Sequence, residues 1–178
     1  MTWKSHTAIA TAISLPFNPV ALPAAILGSV APDLIEYILK FLGVHVAHRG
    51  PTHYVYIPLL IIFFSFLVDF QGFLFWFGVG YLTHWIADAL TPTGVPISQF
   101  DNHRIHIFGG SIRTGSYMEY IVAFALLFFS LTLVNPIYRI KNANNPNAFN
   151  VYFFNYSELF EKKIIDEKTY KEKRFTLF

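Results

Sequence analysis

Apolar residues come in blocks along this chain, and the breakers between blocks predict helices. The most informative block runs from Gly72 to Leu90 and ends GYLTHWIADAL. Phe75, Val79, Leu82 and Ile86 form one stripe of that helix, fit for lipid or for another helix. Gly80, His84, Asp88 and Thr91 share the opposite face, because positions four apart stack one above the other. Thr91-Pro92 stops the helix, since the residue before a proline is pushed out of the α region.

Tyr54 to Phe70 is a second apolar block, with the single charge Asp69 at its end. Gln71-Gly72 is a very short connection, so these two helices are expected antiparallel. Tyr117 to Val134 is a third block, with Glu119 near its start. Each is slightly short for a membrane span and would cross with help from flanking aromatics. Two shorter blocks precede them, Thr7 to Leu15 and Val20 to Ala31, broken by Pro16, Asn18, Pro19 and Pro32. At 1.5 Å per residue each covers about half a bilayer. A re-entrant hairpin, buried in protein, would bring His6 and Asp33 to the same side. Asp33 to Leu42 is amphipathic, with Glu36 and Lys40 spaced to pair. His45 to Thr52 is a polar loop with Gly50-Pro51 as its turn signal.

The pattern changes after Pro136. Asn142 to Asn150 is Asn-rich and reads as linker, and Ser157 to Arg174 is charged and helical with a break near Asp166. The expected organisation is a membrane-embedded domain at 1–135, a linker at 136–156 and a helical tail at 157–178. The fold class is all-α: a polytopic membrane helical bundle with an N-terminal re-entrant or half-length hairpin and a short soluble tail.

Composition sharpens this. Charged residues are 13% of the 178 and hydrophobic residues 54%, whereas a soluble domain averages about 25% charged. The chain is therefore expected in the plasma (inner) membrane as a multi-pass protein, in contact with lipid. A net charge of +2 is too small for a nucleic-acid surface. There is no cysteine, so a metal must be held by His, Asp or Glu, which suits zinc first, then manganese or iron. The first residues, MTWKSHTAIA, do not read as a cleaved signal peptide.

The helix ends carry the main inference. His53 opens one helix, His84 and Asp88 close its antiparallel neighbour, and Glu119 opens the next. His6 and Asp33 join them if the hairpin forms. Ionisable side chains from five segments would then converge at one membrane face, where such groups are costly and mark a site. In AHRGPTH, Arg49 lies between His48 and His53 and suits an anionic group. In APDLIE, Asp33 and Glu36 outline a helix capping box, a role compatible with ligation. Arg104, His106 and Arg113 form a weaker candidate for binding phosphate, with His103 beside them and Asp101 as an unremarkable acid.

Taken together, PDLIE, HRGPTH and GYLTHWIADALTPTGVPI, in that order, resemble the YdjM-like family of membrane-bound, metal-dependent hydrolases. These are small inner-membrane proteins of bacteria and archaea, some under DNA-damage control. The resemblance covers about His6 to Val134 and implies metal ligation by His6, Asp33, His53, His84 and Asp88. His48, Arg49 and Glu119 fall on further matching polar positions, which adds His48 to the metal candidates. The family usually carries a second aspartate two places after the first. Here that position is Ile35, followed by Glu36, so either Glu36 substitutes or one ligand is missing. A looser similarity is to helical zinc phosphodiesterases of the bacterial phospholipase C and single-strand nuclease type. The piece IIDEKTY faintly resembles a short C-terminal helical-hairpin domain and offers a route to a homo-oligomer.

The expected activity is hydrolysis of a phosphoester or other ester of an amphiphilic substrate by a metal-activated water. Arg49 would hold an anionic headgroup, and Glu36 or Glu119 would be general base. The rival expectation is a non-enzymatic membrane protein: a metal-binding, transport or scaffold component. The basic tail favours an external site, although only Arg139 and Lys141 lie close to the third span.

Overall fold

A computed structural model describes residues 1–68, 72–100 and 103–141, with side chains as far as 133, together with 160, 163 and 166–168. The expected linker loses its first six residues to α5, since the helix runs on through Pro136 to Lys141; residues 142–156, most of the tail helix, Asp69, Gln71 and Asp101 lie outside the described residues. Five α-helices dominate: α1 (Trp3–Ser14), α2 (Leu22–Phe41), α3 (Tyr56–Val68), α4 (Phe73–Ala89) and α5 (Tyr117–Lys141). The predicted apolar blocks recur as α3, α4 and α5. One feature was not expected in an all-α chain. The loop between α4 and α5 holds two short antiparallel strands, β1 (Val95–Pro96) and β2 (Arg104–Ile105), with Val95 opposite Ile105.

The N-terminal hairpin needs correction. α1 is half-length at 12 residues, but Pro32 does not end the next helix. α2 runs for 20 residues straight through it. Proline removes one backbone donor and crowds the carbonyl four residues back. That carbonyl belongs to Gly28, which presents no side chain of its own. Asp33 is consequently mid-helix rather than an N-cap, and the expected capping box with Glu36 does not exist. Among the described residues, only Pro19–Phe41 is long and apolar enough to cross a membrane; Tyr56–Val68 and Tyr117–Leu133 are shorter apolar helices.

α2 and α4 cross in backbone contact. A Cβ on Gly28 would fall on the carbonyl of Phe77, and one on Gly80 on the carbonyl of Ala25. Small residues at such a crossing let two backbones approach closely, the usual device where lipid supplies no hydrophobic drive between helices. α3 lies antiparallel to α4: Phe66 meets Phe75, and Ile62 lies against Gly78. α1 packs between α4 and α5, with Met1, Ala8, Ile9, Ala87 and Ala123 in one buried cluster. The outward faces stay apolar. Leu60, Phe63, Phe64 and Leu67 on α3 are exposed, as are Ile121, Phe124, Phe128 and Phe129 on α5.

Candidate metal centre

Three helices and one turn deliver polar residues to the same place. α1 brings His6, α2 Asp33, the turn Pro51–His53 brings His53, and α4 brings His84 and Asp88. His6, His53, His84 and Asp88 are each 1% exposed. The ligand atoms of His6, His84 and Asp88 lie within 4.8 Å of one another, and so do those of Asp33, His53 and His84. His84 Nε2 is 3.5 Å from Asp88 Oδ2 and 3.8 Å from Asp33 Oδ1. His53 Nε2 is 3.4 Å from Asp33 Oδ1 and 3.8 Å from Asp88 Oδ2. His6 Nε2 is 3.3 Å from Asp88 Oδ1. That contact is close but poorly aligned, so both His6 ring nitrogens are buried without a hydrogen bond.

The tautomer of His84 is decided by its surroundings. Nδ1 lies 2.6 Å from the Ser29 carbonyl, which can only accept, so Nδ1 carries the proton. Nε2 therefore presents a lone pair, and it lies 3.1 Å from His53 Nε2. Ligating histidines commonly donate their other N–H to a carbonyl in this way. His53 Nδ1 has an analogous partner in Thr52 Oγ1 at 2.9 Å. Tyr81 in turn donates to the Thr52 carbonyl at 2.5 Å, which fixes this turn against α4. Burial pulls the His53 imidazolium below its ordinary pKa, more strongly than Asp33 holds it up. The ring is thus kept neutral, as a ligand must be. Three imidazoles and two carboxylates, with one ring, His6, hydrogen-bonded at neither nitrogen, fit a divalent cation by the chemistry of the donors.

Arg49 adopts a role that its sequence position did not reveal. Its side chain is buried, with Nε 2.8 Å from Asp88 Oδ2 and Nη2 donating to Oδ1 at 2.9 Å. Nη1 donates to Thr91 Oγ1 at 2.6 Å and to the Gly94 carbonyl at 3.2 Å. The backbone of Arg49 is left-handed, with φ +54°, a strained state for a residue with a Cβ. Arg49 is an internal fork on Asp88 rather than an open headgroup clamp. The amino group of Met1 also donates to Asp88 Oδ1.

Two predicted bases are occupied elsewhere. Glu36 is salt-bridged to Lys40 at 2.5 Å, meets His48 Nδ1 at 3.0 Å and accepts from the Arg49 backbone at 3.2 Å. His48 belongs to this outer patch, with its side chain 62% exposed. Glu119 is fully buried and accepts from Thr2 N at 2.6 Å, Thr2 Oγ1 at 2.7 Å and Gly115 N at 2.7 Å. It thereby ties the start of α1, and hence His6, to α5. Among the described residues, no metal-compatible group contains Glu36, His48 or Glu119. Arg104, His106 and Arg113 are exposed. Arg104 Nη1 reaches the Gly94 carbonyl at 3.5 Å, so two of the candidate cations, Arg49 and Arg104, meet at that turn. Sequence reasoning missed the Ser29 carbonyl, Thr2 and Tyr81. A backbone acceptor leaves no trace in residue type, and Thr2 and Tyr81 matter only through long-range contacts.

Residues 1–141 match the family described as YdjM inner membrane protein. The chain belongs to this family. The match covers α1 to α5 and every residue of the cluster. No curated protein and no solved structure matches the chain. Family membership makes it a membrane protein of inner-membrane type, in agreement with its composition.

Proposed function

We propose that this YdjM-family chain is a membrane-bound, metal-dependent hydrolase acting on a phosphoester or other ester of an amphiphilic, phospholipid-like substrate. The observation that carries the reading is the convergence of His6, Asp33, His53, His84 and Asp88, with His84 locked so that Nε2 faces the cluster. Those five residues would hold the cation, zinc before manganese or iron. A bound divalent cation supplies a water with pKa lowered toward about 7 and polarises the scissile oxygen.

The chain's own residues do the rest. Asp33 is the most open of the cluster's acids, its side chain 16% exposed against 2% for Asp88. It is the ligand through which the centre would be reached from outside. Arg49 holds Asp88 in one orientation. Glu36 and Glu119 are positioning residues that fix the Arg49 loop and α1. Arg104 and His106 stand exposed beside the Gly94 turn and would take the substrate's anionic group. The bundle is read as multi-pass, because α3 and α5 both turn apolar faces outward.

A second reading, a non-enzymatic metal-binding, transport or scaffold protein, draws on one observation. Arg49 already forks Asp88, so part of the buried charge is compensated without a cation. Transport would want ionisable groups near mid-bilayer and toward both faces. The clustering of the described ionisable groups at one end of α4 supports the hydrolase instead. The test is elemental analysis of the purified protein alongside a phosphoester panel. His84→Ala is expected to lose bound metal and turnover together. Unchanged metal content in that variant would remove the assignment, and metal-dependent flux in proteoliposomes without hydrolysis would reverse the ranking.

A further inference from the structure

The loop from β2 to α5 carries an aromatic residue that no part of the site uses. Phe108 is 84% exposed, yet its backbone sits at φ +49°. Bulky residues avoid this left-handed region, and glycine normally fills it. Gly109 and Gly110 follow at φ +66° and +65° and bear no such cost. The turn is nevertheless firmly held. Ser111 Oγ donates to the Phe108 carbonyl at 2.6 Å, Gly110 is buried against Thr91 and Pro92, and Ile112 N donates to the Leu90 carbonyl at 3.1 Å. A large apolar side chain is thus presented outward from a braced, strained turn anchored on the end of α4. Tyr117, 89% exposed, stands at the first turn of α5, and the exposed face of α5 continues from it through Met118 and Ile121. Between them in sequence lies the exposed Arg113, and the exposed Arg104 precedes Phe108 by four positions.

We propose that Phe108 and Tyr117 form an interfacial anchor that seats this loop in an anionic phospholipid surface, at headgroup depth, beside the metal centre. Three observations select lipid over another occupant. Tyr117 continues the apolar outward face of α5, and Phe108 adds a second exposed ring in the loop leading to it. The arginines flanking these rings complement phosphate headgroups. Aromatic residues at the ends of apolar helices favour the membrane–water boundary. A second copy docked on this face about a two-fold axis would bring the arginines near their own counterparts, which is unfavourable. The anchor would hold the rim of the centre at the level where an amphiphilic substrate presents its polar group. It does not depend on any cation being bound.

The chain has no cysteine, so a single introduced thiol can be labelled cleanly. Phe108→Cys and Tyr117→Cys, each carrying a nitroxide, would be reconstituted into phosphatidylethanolamine–phosphatidylglycerol vesicles, with Phe128→Cys on α5 as a deep reference. At both anchor positions, collisions with oxygen are expected to exceed those with an aqueous nickel chelate by several-fold, at a shallower depth than 128. Replacing phosphatidylglycerol by a zwitterionic lipid should lower that ratio. Chelate collisions dominating at both positions would overturn the proposal. So would spin–spin broadening that vanishes on dilution with unlabelled protein, which would assign the face to a second copy. The readout is the same in chelator-stripped protein, so its failure and that of the hydrolase reading are separable.

Discussion

Asp33 and Glu36 lie one turn apart on α2 and do opposite things. Asp33 turns toward two imidazole nitrogens, one of them unable to donate because its proton is spent on Ser29. Glu36 turns toward donors: the Lys40 ammonium, His48 and the Arg49 amide. The inner carboxylate faces ring nitrogens of which one offers only a lone pair, whereas the outer one is already satisfied. Residue type does not separate a ligand from a brace. What surrounds the oxygens does.

The severest test of that contrast removes the inner set's shared acid. Asp88→Ala would strand the buried Arg49 guanidinium, which typically costs about 3–5 kcal/mol, and abolish cation binding; denaturant unfolding and metal analysis would read both. If the variant unfolds like the parent, Asp88 is not the hub. Gly80→Ala comes next. Its Cβ would fall on the Ala25 carbonyl, so the crossing must open at about 1–3 kcal/mol. The Ser29 carbonyl should then leave His84, with weaker cation binding, while the Glu36 patch keeps its contacts.

A direct comparison sharpens the point. Asp33→Asn should weaken cation affinity more than the roughly 10–100-fold typical of losing an outer partner, and Glu36→Gln less, as measured by competition with a fluorescent chelator. Equal losses would erase the distinction. Acid should act on the inner set as well. His53 is held below its ordinary 6.5 by burial, so below pH 6.5 the unfolded chain takes up a proton that the folded chain refuses. Stability at that site therefore falls as pH drops from 6.5 toward the lowered folded value, and is fully present above 6.5. Unfolding midpoints measured across that range check the sign. The smallest effect belongs to the outer patch: Lys40→Met breaks a half-exposed pair and should change stability by about 0–1 kcal/mol.

Much of this was legible in residue order. The apolar blocks gave α3, α4 and α5, and the His84–Asp88 spacing gave one face of α4. The meeting of His53 with His84 and Asp88 followed from antiparallel helices, whereas His6 and Asp33 were brought in by a half-length hairpin whose second arm is in fact the full-length α2. What failed were local rules overridden by packing. Pro32 reads as a stop, yet α2 continues, packed backbone to backbone against α4 at Gly28. Arg49 reads as a substrate clamp, because nothing near it in sequence announces Asp88, 39 positions on. Glu36 and Glu119 read as bases because a carboxylate's partners are set by tertiary structure. Strands of two residues, such as β1 and β2, carry no periodicity to detect.

The bond from His84 to Ser29 has an evolutionary consequence. The acceptor is main chain, so replacing the residue at position 29 with another of similar bulk leaves it untouched. Selection would instead act on how near the two helices run. A survey of amino-acid identities at 29 would find variation and overlook the contact, while the neighbouring glycines recorded its presence.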